Sequence, residues 1–395
     1  MPGKSAMDER HPLCLGAGSG LTTMAAGKHL SECDLIMALG SSLTRTFYGQ
    51  PIRSNNKVLI QNTDNPHDIN KDESVDIGLL VDTKLTIRAL IDETKDQTGD
   101  KCIGNIEKTK LEIAEIKKAW LEEWSPLLTS DEEPLNTYRV IREIVQTLDL
   151  ENSIVTHDAG APRDSIVPFY TATRPHSYVG WGKTTHPGFG IPLMIGAKMA
   201  SPDKFCLNLM GDGAFGMSGT DLETASRSRF AITTVLLNNG NIATYPDGFP
   251  VFRKYGVGKM QGDYTKIAGG MGAVGITVKK TSELAPALEE AKRINAEGQI
   301  VLIDVHSSSL WSRARLPFYR LKDRSQTTSN CVAASWDNVM FCQRSKASSD
   351  LICFISCSHL ARLMNPPNGG NHRPDTLCAT NIVNFLQVDD STASS

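Results

Sequence analysis

Two stretches of this sequence carry residue types that can do chemistry at a fixed spacing: Gly211-Asp212-Gly213-Ala214 and Asn238-Asn239-Gly240-Asn241. Asp212 offers a carboxylate and Asn239 an amide oxygen, and a main-chain carbonyl near Asn241 adds a third hard oxygen. Such a set suits Mg²⁺, which takes few protein ligands and completes an octahedral shell with water and phosphate oxygens. The amides of Gly213 and Ala214, just ahead of a helical pattern, direct donors and a positive dipole end to the same place. Read together, these groups describe a diphosphate held through a metal. A Gly-Asp-Gly alone is more often a surface turn; its meaning here comes from the second stretch, 27 positions from Asp212 to Asn239.

The elements that must position these residues follow from hydrophobic patterning. Phe205 to Met210 and Thr233 to Leu237 are apolar runs ending at the two polar stretches, and Gly211 to Ala214 reads as a turn before a helix through Asp221–Ala225. Ser153 to Thr156 and Ile300 to Val305 are further strand-like runs separated by helical patterns, as in a parallel sheet whose carboxyl-end loops line a ligand crevice. Residues 136–306 thus form one α/β unit. Residues 1–95 read as part of another, with strands at Asp34–Gly40 and Lys57–Gln61, and Leu85, Ile87, Leu90 and Ile91 at near-helical spacing. Between them, 96–135 is charged and helical: Leu111, Ile113, Ile116, Trp120 and Trp124 among Lys and Glu predict a connecting helix with one docking face. The tail, 307–395, has 15 Ser, five Cys and only two Gly, breaks the alternation, and is expected to be irregular or disordered.

With 24 residues between Gly213 and Asn238, the two-part motif resembles the signature of the thiamine diphosphate-dependent enzymes, and the chain is most similar to their acetolactate synthase-like branch. Val155-Thr156-His157-Asp158-Ala159-Gly160 resembles the family's strand and loop at the far end of the diphosphate, and Gly188 to Ala197 its Gly-Phe-Gly-Leu-Pro-Ala-Ala-Ile-Gly-Ala segment. Leu39 to Thr44, Gln61 to Pro66 and Asp68-Ile69-Asn70 resemble the central domain. The resemblance implies a partial Rossmann-like central domain at 1–95, a helical linker at 96–135, and a doubly wound cofactor-binding domain at 136–306. It implies thiamine diphosphate and Mg²⁺ as cofactors, with Asp212, Asn239 and Asn241 at the metal. Asp158, Gly160, Pro187, Gly188, Gly211, Gly213 and Ala214 would line the cofactor. Pro187 stands where relatives place the apolar side chain that bends the cofactor, and His186 is the one candidate to face a substrate.

The implied activity is carbon–carbon bond cleavage or formation on 2-keto acids, the cofactor carrying the hard chemistry. Gly40-Ser41-Ser42-Leu43-Thr44-Arg45-Thr46 replaces the family's Arg-Phe-Asp-Asp-like segment, so FAD is not expected. The family's first domain supplies an acid, usually Glu, to the pyrimidine ring. The chain starts within the central domain, so this acid is expected to come from outside it, in a homo-oligomer or by pairing with a full-length subunit. The chain alone is expected to turn over little substrate. The other reading is a non-catalytic cofactor-binding subunit or a truncated fragment.

Composition narrows the classes. Length suggests two to three domains. In 395 residues, Lys plus Arg (41) nearly balance Asp plus Glu (44), which argues against a nucleic-acid-tracking surface. No apolar run reaches the ~18 residues of a membrane-spanning helix. An odd nine Cys and an N-terminus with neither an apolar core nor an acid-free stretch lead to the expectation of a cytoplasmic protein, or a mitochondrial one if residues precede Met1. Gly16-Ala17-Gly18-Ser19-Gly20 lacks the spacing of a dinucleotide loop, and Cys353, Cys357 and His359 lack a second paired spacing for zinc.

Overall fold

The computed structural model describes residues 3–17, 22–45, 57–99, 105–180, 186–242 and 250–308, with two short strands at 343–344 and 351–352. Gly18 to Gly20 and the Cys353, Cys357 and His359 set lie outside these residues, as does nearly all of the tail. The chain divides into two compact units: among the described residues, one contains 12–15, 24–117, 343–344 and 351–352, the other 3–11, 16–17, 22–23 and 118–308.

The first unit holds α1 (Met24–Glu32), β1 (Leu35–Ala38), β2 (Val58–Thr63), β3 (Ile77–Leu80), α2 (Thr83–Thr98) and the first part of α3 (Ile106–Leu128). Its three strands are parallel in the order β1-β2-β3. β3 is a strand that patterning does not announce, because Ile77-Gly78-Leu79-Leu80 is short and only Leu79 is buried. α2 starts at Asp82, whose carboxylate accepts the Leu85 amide at 3.0 Å and so satisfies one of the donors a helix start leaves open. Leu85 itself is exposed. The buried place goes to Thr86, whose hydroxyl accepts the Asn62 side-chain amide at 2.9 Å from β2.

The second unit is built on a five-stranded, wholly parallel sheet in the order β4-β5-β6-β8-β7. Its elements are α4 (Thr137–Thr147), β4 (Ser153–His157), α5 (Ala161–Ile166), α6 (Gly190–Ala200), β5 (Phe205–Gly211), α7 (Asp212–Ser218), α8 (Asp221–Arg227), β6 (Ile232–Asn238), α9 (Pro250–Tyr255), α10 (Tyr264–Gly270), β7 (Val274–Val278), α11 (Thr281–Ala296) and β8 (Val301–His306). β4, β5 and β6 are almost wholly buried, as strands covered on both faces must be. β7 escapes a sequence reading because it is an edge strand with Gly275 and Thr277 in its middle and alternating exposure.

On one face, α6, α8 and α10 bury Ile191, Met194, Leu222, Ala225 and Ala268 against Cys206, Met210, Ile232, Leu236 and Leu302 of the strands. The chain returns from the edge strand β7 to β8 through α11, which packs with α4. A right-handed crossover run in the reverse direction places its helix on the opposite face, which accounts for that pairing. The last part of α3 docks in this unit: Trp120 stacks on Phe169 with ring centroids 4.7 Å apart, and Trp124 meets Tyr138 edge-on at 4.8 Å. Of the expected docking face of α3, Ile113 and Ile116 pack in the first unit and Trp120 and Trp124 in the second, while Leu111 is exposed.

Candidate functional site

β5 and β6 run side by side with Gly211 opposite Leu237, so the chain leaves both strands at the same end of the sheet. The expected turn after β5 is absent. The strand runs to Gly211 and α7 begins at Asp212 itself, with Gly211 extended at the N-cap position. Strand and helix therefore meet without an intervening loop, and Asp212 is fixed by both.

Asp212 is 2% exposed. One carboxylate oxygen accepts the Gly213 amide at 2.8 Å, and the other accepts the Gly240 amide at 2.8 Å from the loop after β6. The two stretches separated in sequence are thus joined through this carboxylate. Burial raises the Asp212 carboxyl above the ordinary aspartate value, and the amides of Gly240, Gly213 and Asn239 hold it down in part. No Lys, Arg or His forms an ion pair with it among the described residues. A buried carboxylate met only by neutral donors is a charge that a cation can compensate.

The β6 loop is held as tightly. Asn239 Oδ1 accepts the Asn241 amide at 3.0 Å, and the Asn239 carbonyl accepts Asn241 Nδ2 at 2.8 Å. Residues 258–260 return antiparallel to this loop: the Met260 amide donates to the Gly240 carbonyl at 2.9 Å and the Ile242 amide to that of Gly258 at 3.0 Å. One carboxylate and neutral amide and carbonyl oxygens are a donor set that a hard divalent ion takes, and zinc does not favour. Among the described residues there is no cluster of three or more His, Cys, Asp or Glu.

The glycines of the first stretch are informative. Neither Gly211 nor Gly213 has positive φ, and a Cβ on either would meet only one ordinary contact, Pro162 at 3.9 Å or Met260 at 3.7 Å. The fold itself does not demand glycine there, whereas close approach of a ligand to the backbone would. Ala214 follows within α7, buried in the core.

At the end of β4 the arrangement differs. Asp158 is fully buried; one oxygen accepts the amides of Ala159 (2.7 Å) and Gly188 (2.9 Å), the other that of Gly190 (2.8 Å). Burial raises its carboxyl, with the three amides and the nearby His186 working in the opposite direction. Its geometry is that of a tie between the β4 end and the Pro187–Gly190 loop. Gly160 (φ +79°) starts α5, and Gly188 (φ +89°) lies against Met217 and Ser218, 3.1 and 3.3 Å from where a Cβ would stand. Pro187 is half-buried and His186 exposed.

Three contributors escape the sequence reading. Met260 reaches the Gly213 and Gly240 region from a loop that no motif marks. Asn208, wholly buried on β5, lies so close to Gly190 that a Cβ there would overlap its carboxamide. Asp304 is buried on β8, and its signal was visible: a lone acid within Ile-Val-Leu-Ile-Asp-Val. No helix among the described residues is long and apolar enough to cross a membrane.

Comparison with known proteins identifies the family of both regions. Residues 158–305 match the family model of the thiamine pyrophosphate enzyme C-terminal TPP binding domain, and residues 1–90 that of the thiamine pyrophosphate enzyme central domain. The chain is 26% identical over 308 residues to a protein of Methanococcus aeolicus named "Probable acetolactate synthase large subunit", covering 73% of this chain and 50% of that one. It is 25% identical over 305 residues to the acetolactate synthase large subunit of Corynebacterium glutamicum (73% and 46%). Over 331 residues it is 25% identical to the pyruvate oxidase of Lactiplantibacillus plantarum (83% and 53%). The chain spans about half the length of these relatives.

Proposed function

Because the chain belongs to the thiamine pyrophosphate enzymes, carrying their central and TPP-binding domains, we propose that it binds thiamine diphosphate together with Mg²⁺ at the carboxyl ends of β5 and β6. Asp212 supplies the one negative charge, and the Asn239 side chain and a main-chain carbonyl near Asn241 supply neutral oxygens. Gly211, Gly213 and Ala214 let the diphosphate approach the backbone; Asp158 and Gly160 shape the neighbouring loop and Pro187–Gly188 the wall beside it. When bound, thiamine diphosphate supplies a nucleophilic carbon that adds to the carbonyl of a 2-keto acid. The proposed activity is that of a carbon–carbon lyase or ligase similar to acetolactate synthase, carried out in a homo-oligomer or with a full-length subunit. In it, Asp158 orients the Pro187–Gly190 loop and His186 lies at its solvent side.

The observation that carries this reading is the buried Asp212 carboxylate, joined by the Gly240 amide to the β6 loop and by no cationic side chain among the described residues. The test is calorimetry of the full chain with thiamine diphosphate, with and without Mg²⁺. Binding is expected to require the metal, and Asp212→Ala is expected to lose more than about 100-fold in affinity, since outer-shell changes alone reach about 10–100-fold. A folded wild-type chain that binds no thiamine diphosphate in Mg²⁺ overturns the reading.

A further inference from the structure

The N-terminal segment places a cation inside the second unit. The Lys4 side chain is only 1% exposed, and lysine is almost never buried to that degree unless it is paired. Its ammonium donates to the two carboxylate oxygens of Glu9, at 2.8 and 2.6 Å, and to the Tyr170 carbonyl at 2.6 Å. It also stands 5.3 Å from the ring centroid of Tyr178 and 6.0 Å from that of Tyr170, within the range at which an aromatic face attracts a cation. The hydroxyls of both tyrosines are buried with no hydrogen-bond partner, so what this site takes from them is the ring.

The backbone is shaped to deliver this side chain. The Ala6 amide donates to the Gly3 carbonyl at 3.1 Å, closing a turn with Ser5 in the left-handed region at φ +73°, a conformation that a non-glycine residue keeps only where its surroundings hold it. Ser5 Oγ donates to the Tyr178 carbonyl at 3.0 Å. Glu9 and Ala172 are joined twice, by the Glu9 amide to the Ala172 carbonyl and by the Ala172 amide to Glu9 Oε2, each at 2.9 Å. Residues 4–9 therefore grip the chain at Tyr170, Ala172 and Tyr178. From there the contacts run to the site. β4 is the outermost strand on its side of the sheet, and residues 177–179 take its free edge. The Val155 amide donates to the Ser177 carbonyl at 3.0 Å, the Val179 amide to that of Val155 at 2.9 Å, and the Thr156 hydroxyl to that of Val179 at 2.5 Å. Asp158, which accepts the amides of Gly188 and Gly190, is the next residue after β4.

We propose that Lys4 is a positioning residue: through Tyr170 and Tyr178 it fixes residues 177–179 on the free edge of β4, and so sets where Asp158 holds Gly188 and Gly190. The part of this that concerns cofactor binding rests on the function proposed above; the part that concerns the β4 edge does not. Were Lys4 present only to neutralise Glu9, removing both charges together would restore the wild-type state. A positioning lysine leaves the edge loose even then.

The experiment is amide hydrogen exchange at Val179, Gly188 and Gly190 in the full, cofactor-free chain, with Val235 of β6 and Ile303 of β8 as reference amides and thiamine diphosphate–Mg²⁺ calorimetry on the same preparations. Lys4→Met is expected to speed exchange at the first three about tenfold, to leave the reference amides within about twofold of wild type, and to weaken binding about tenfold. Lys4→Met combined with Glu9→Gln leaves no unpaired charge and keeps an oxygen for the Ala172 amide; the same local acceleration is expected. Tyr178→Phe, which keeps the ring, is expected to stay within about twofold of wild type, and Tyr178→Leu, which loses it, to match Lys4→Met at Val179. This second pair leaves Lys4 and Glu9 in place, so the test stands if the charge variants fold poorly. Unchanged exchange in Lys4→Met, acceleration that spreads equally to Val235 and Ile303, or a double variant that returns to wild type overturns the proposal. Absence of thiamine diphosphate binding by the wild type would sink the proposed function, while the exchange data decide this inference by themselves.

Discussion

Asp158→Ala isolates what a saturated buried carboxylate does in this fold. Three amides end on Asp158, but they are not equal: those of Gly188 and Gly190 belong to buried residues, while Ala159 is half-buried and can turn to water. Removing the carboxylate orphans two buried donors at about 1–3 kcal/mol each. It also removes the desolvation cost that raises this carboxyl. The balance expected is a loss of about 3 kcal/mol, or roughly 10 °C for a unit of this size. Buried Trp120 and Trp124 lie in the same unit, stacked on and edge-on to Phe169, so their fluorescence reports its unfolding. Asp158→Asn keeps one acceptor oxygen but turns a donor toward the third amide, and is expected to lose about half as much. If Asp158→Ala unfolds within a degree or two of wild type, the loop from Pro187 to Gly190 is held by something else, and the assignment of Asp158 as its tie is refuted.

Two further outcomes follow from buried groups in the same unit. His157 is wholly buried, and burial pushes its imidazole down to about 3, so the folded state stays neutral where the unfolded chain takes up a proton. Its contribution is intact above the unfolded value near pH 6.5 and is lost progressively as pH falls toward about 3, by up to about 5 kcal/mol; His157→Gln should flatten that limb of an unfolding-versus-pH curve, and an unaltered curve would show that other groups produce it. Gly190→Ala drives a Cβ into the carboxamide of Asn208, which has no exposed space to retreat into, and is expected to cost about 1–3 kcal/mol by denaturant unfolding, with Asn208→Ala restoring most of it.

The legible parts of this molecule are those whose signal is local. β4, β5, β6 and β8 could be read because a strand covered on both faces must be continuously apolar, and α2 because Leu85, Ile87, Leu90 and Ile91 recur at near-helical spacing. β3 and β7 could not, since a short strand at a sheet edge has neither a full apolar run nor a clean alternation. The pairing of Asp212 with the Asn239–Asn241 loop was readable from spacing alone, because adjacent parallel strands separated by one helical crossover must deliver their carboxyl ends side by side. The return of 258–260 to that loop and the overlap of Gly190 with Asn208 depend on contacts 20 or so residues apart with no periodic signature. The direct passage from β5 into α7 is a subtler miss. Gly-Asp-Gly is turn-like by composition, yet an extended Gly211 lets the helix begin without one.

Three aspartates stand buried at or near the strand ends, and their partners separate their roles. Burial raises the carboxyl of each, so composition and depth do not distinguish them. Asp158 has both oxygens covered by backbone amides, its neighbour Ala159 and Gly188 on one and Gly190 on the other, which leaves it a structural tie. Asp304 has one oxygen without any donor, and its other oxygen lies 3.8 Å from His306 Nε2 on the same strand. Asp212 receives one amide on each oxygen, that of Gly213 from the first turn of its own helix and that of Gly240 from the loop after β6, and each oxygen retains a lone pair. The negative charge is thus placed where the start of α7 meets the loop after β6. An asparagine there would still join α7 to the β6 loop by a hydrogen bond, but it would carry no charge to draw a divalent ion, and that difference is what Asp212→Asn beside Asp212→Ala would measure.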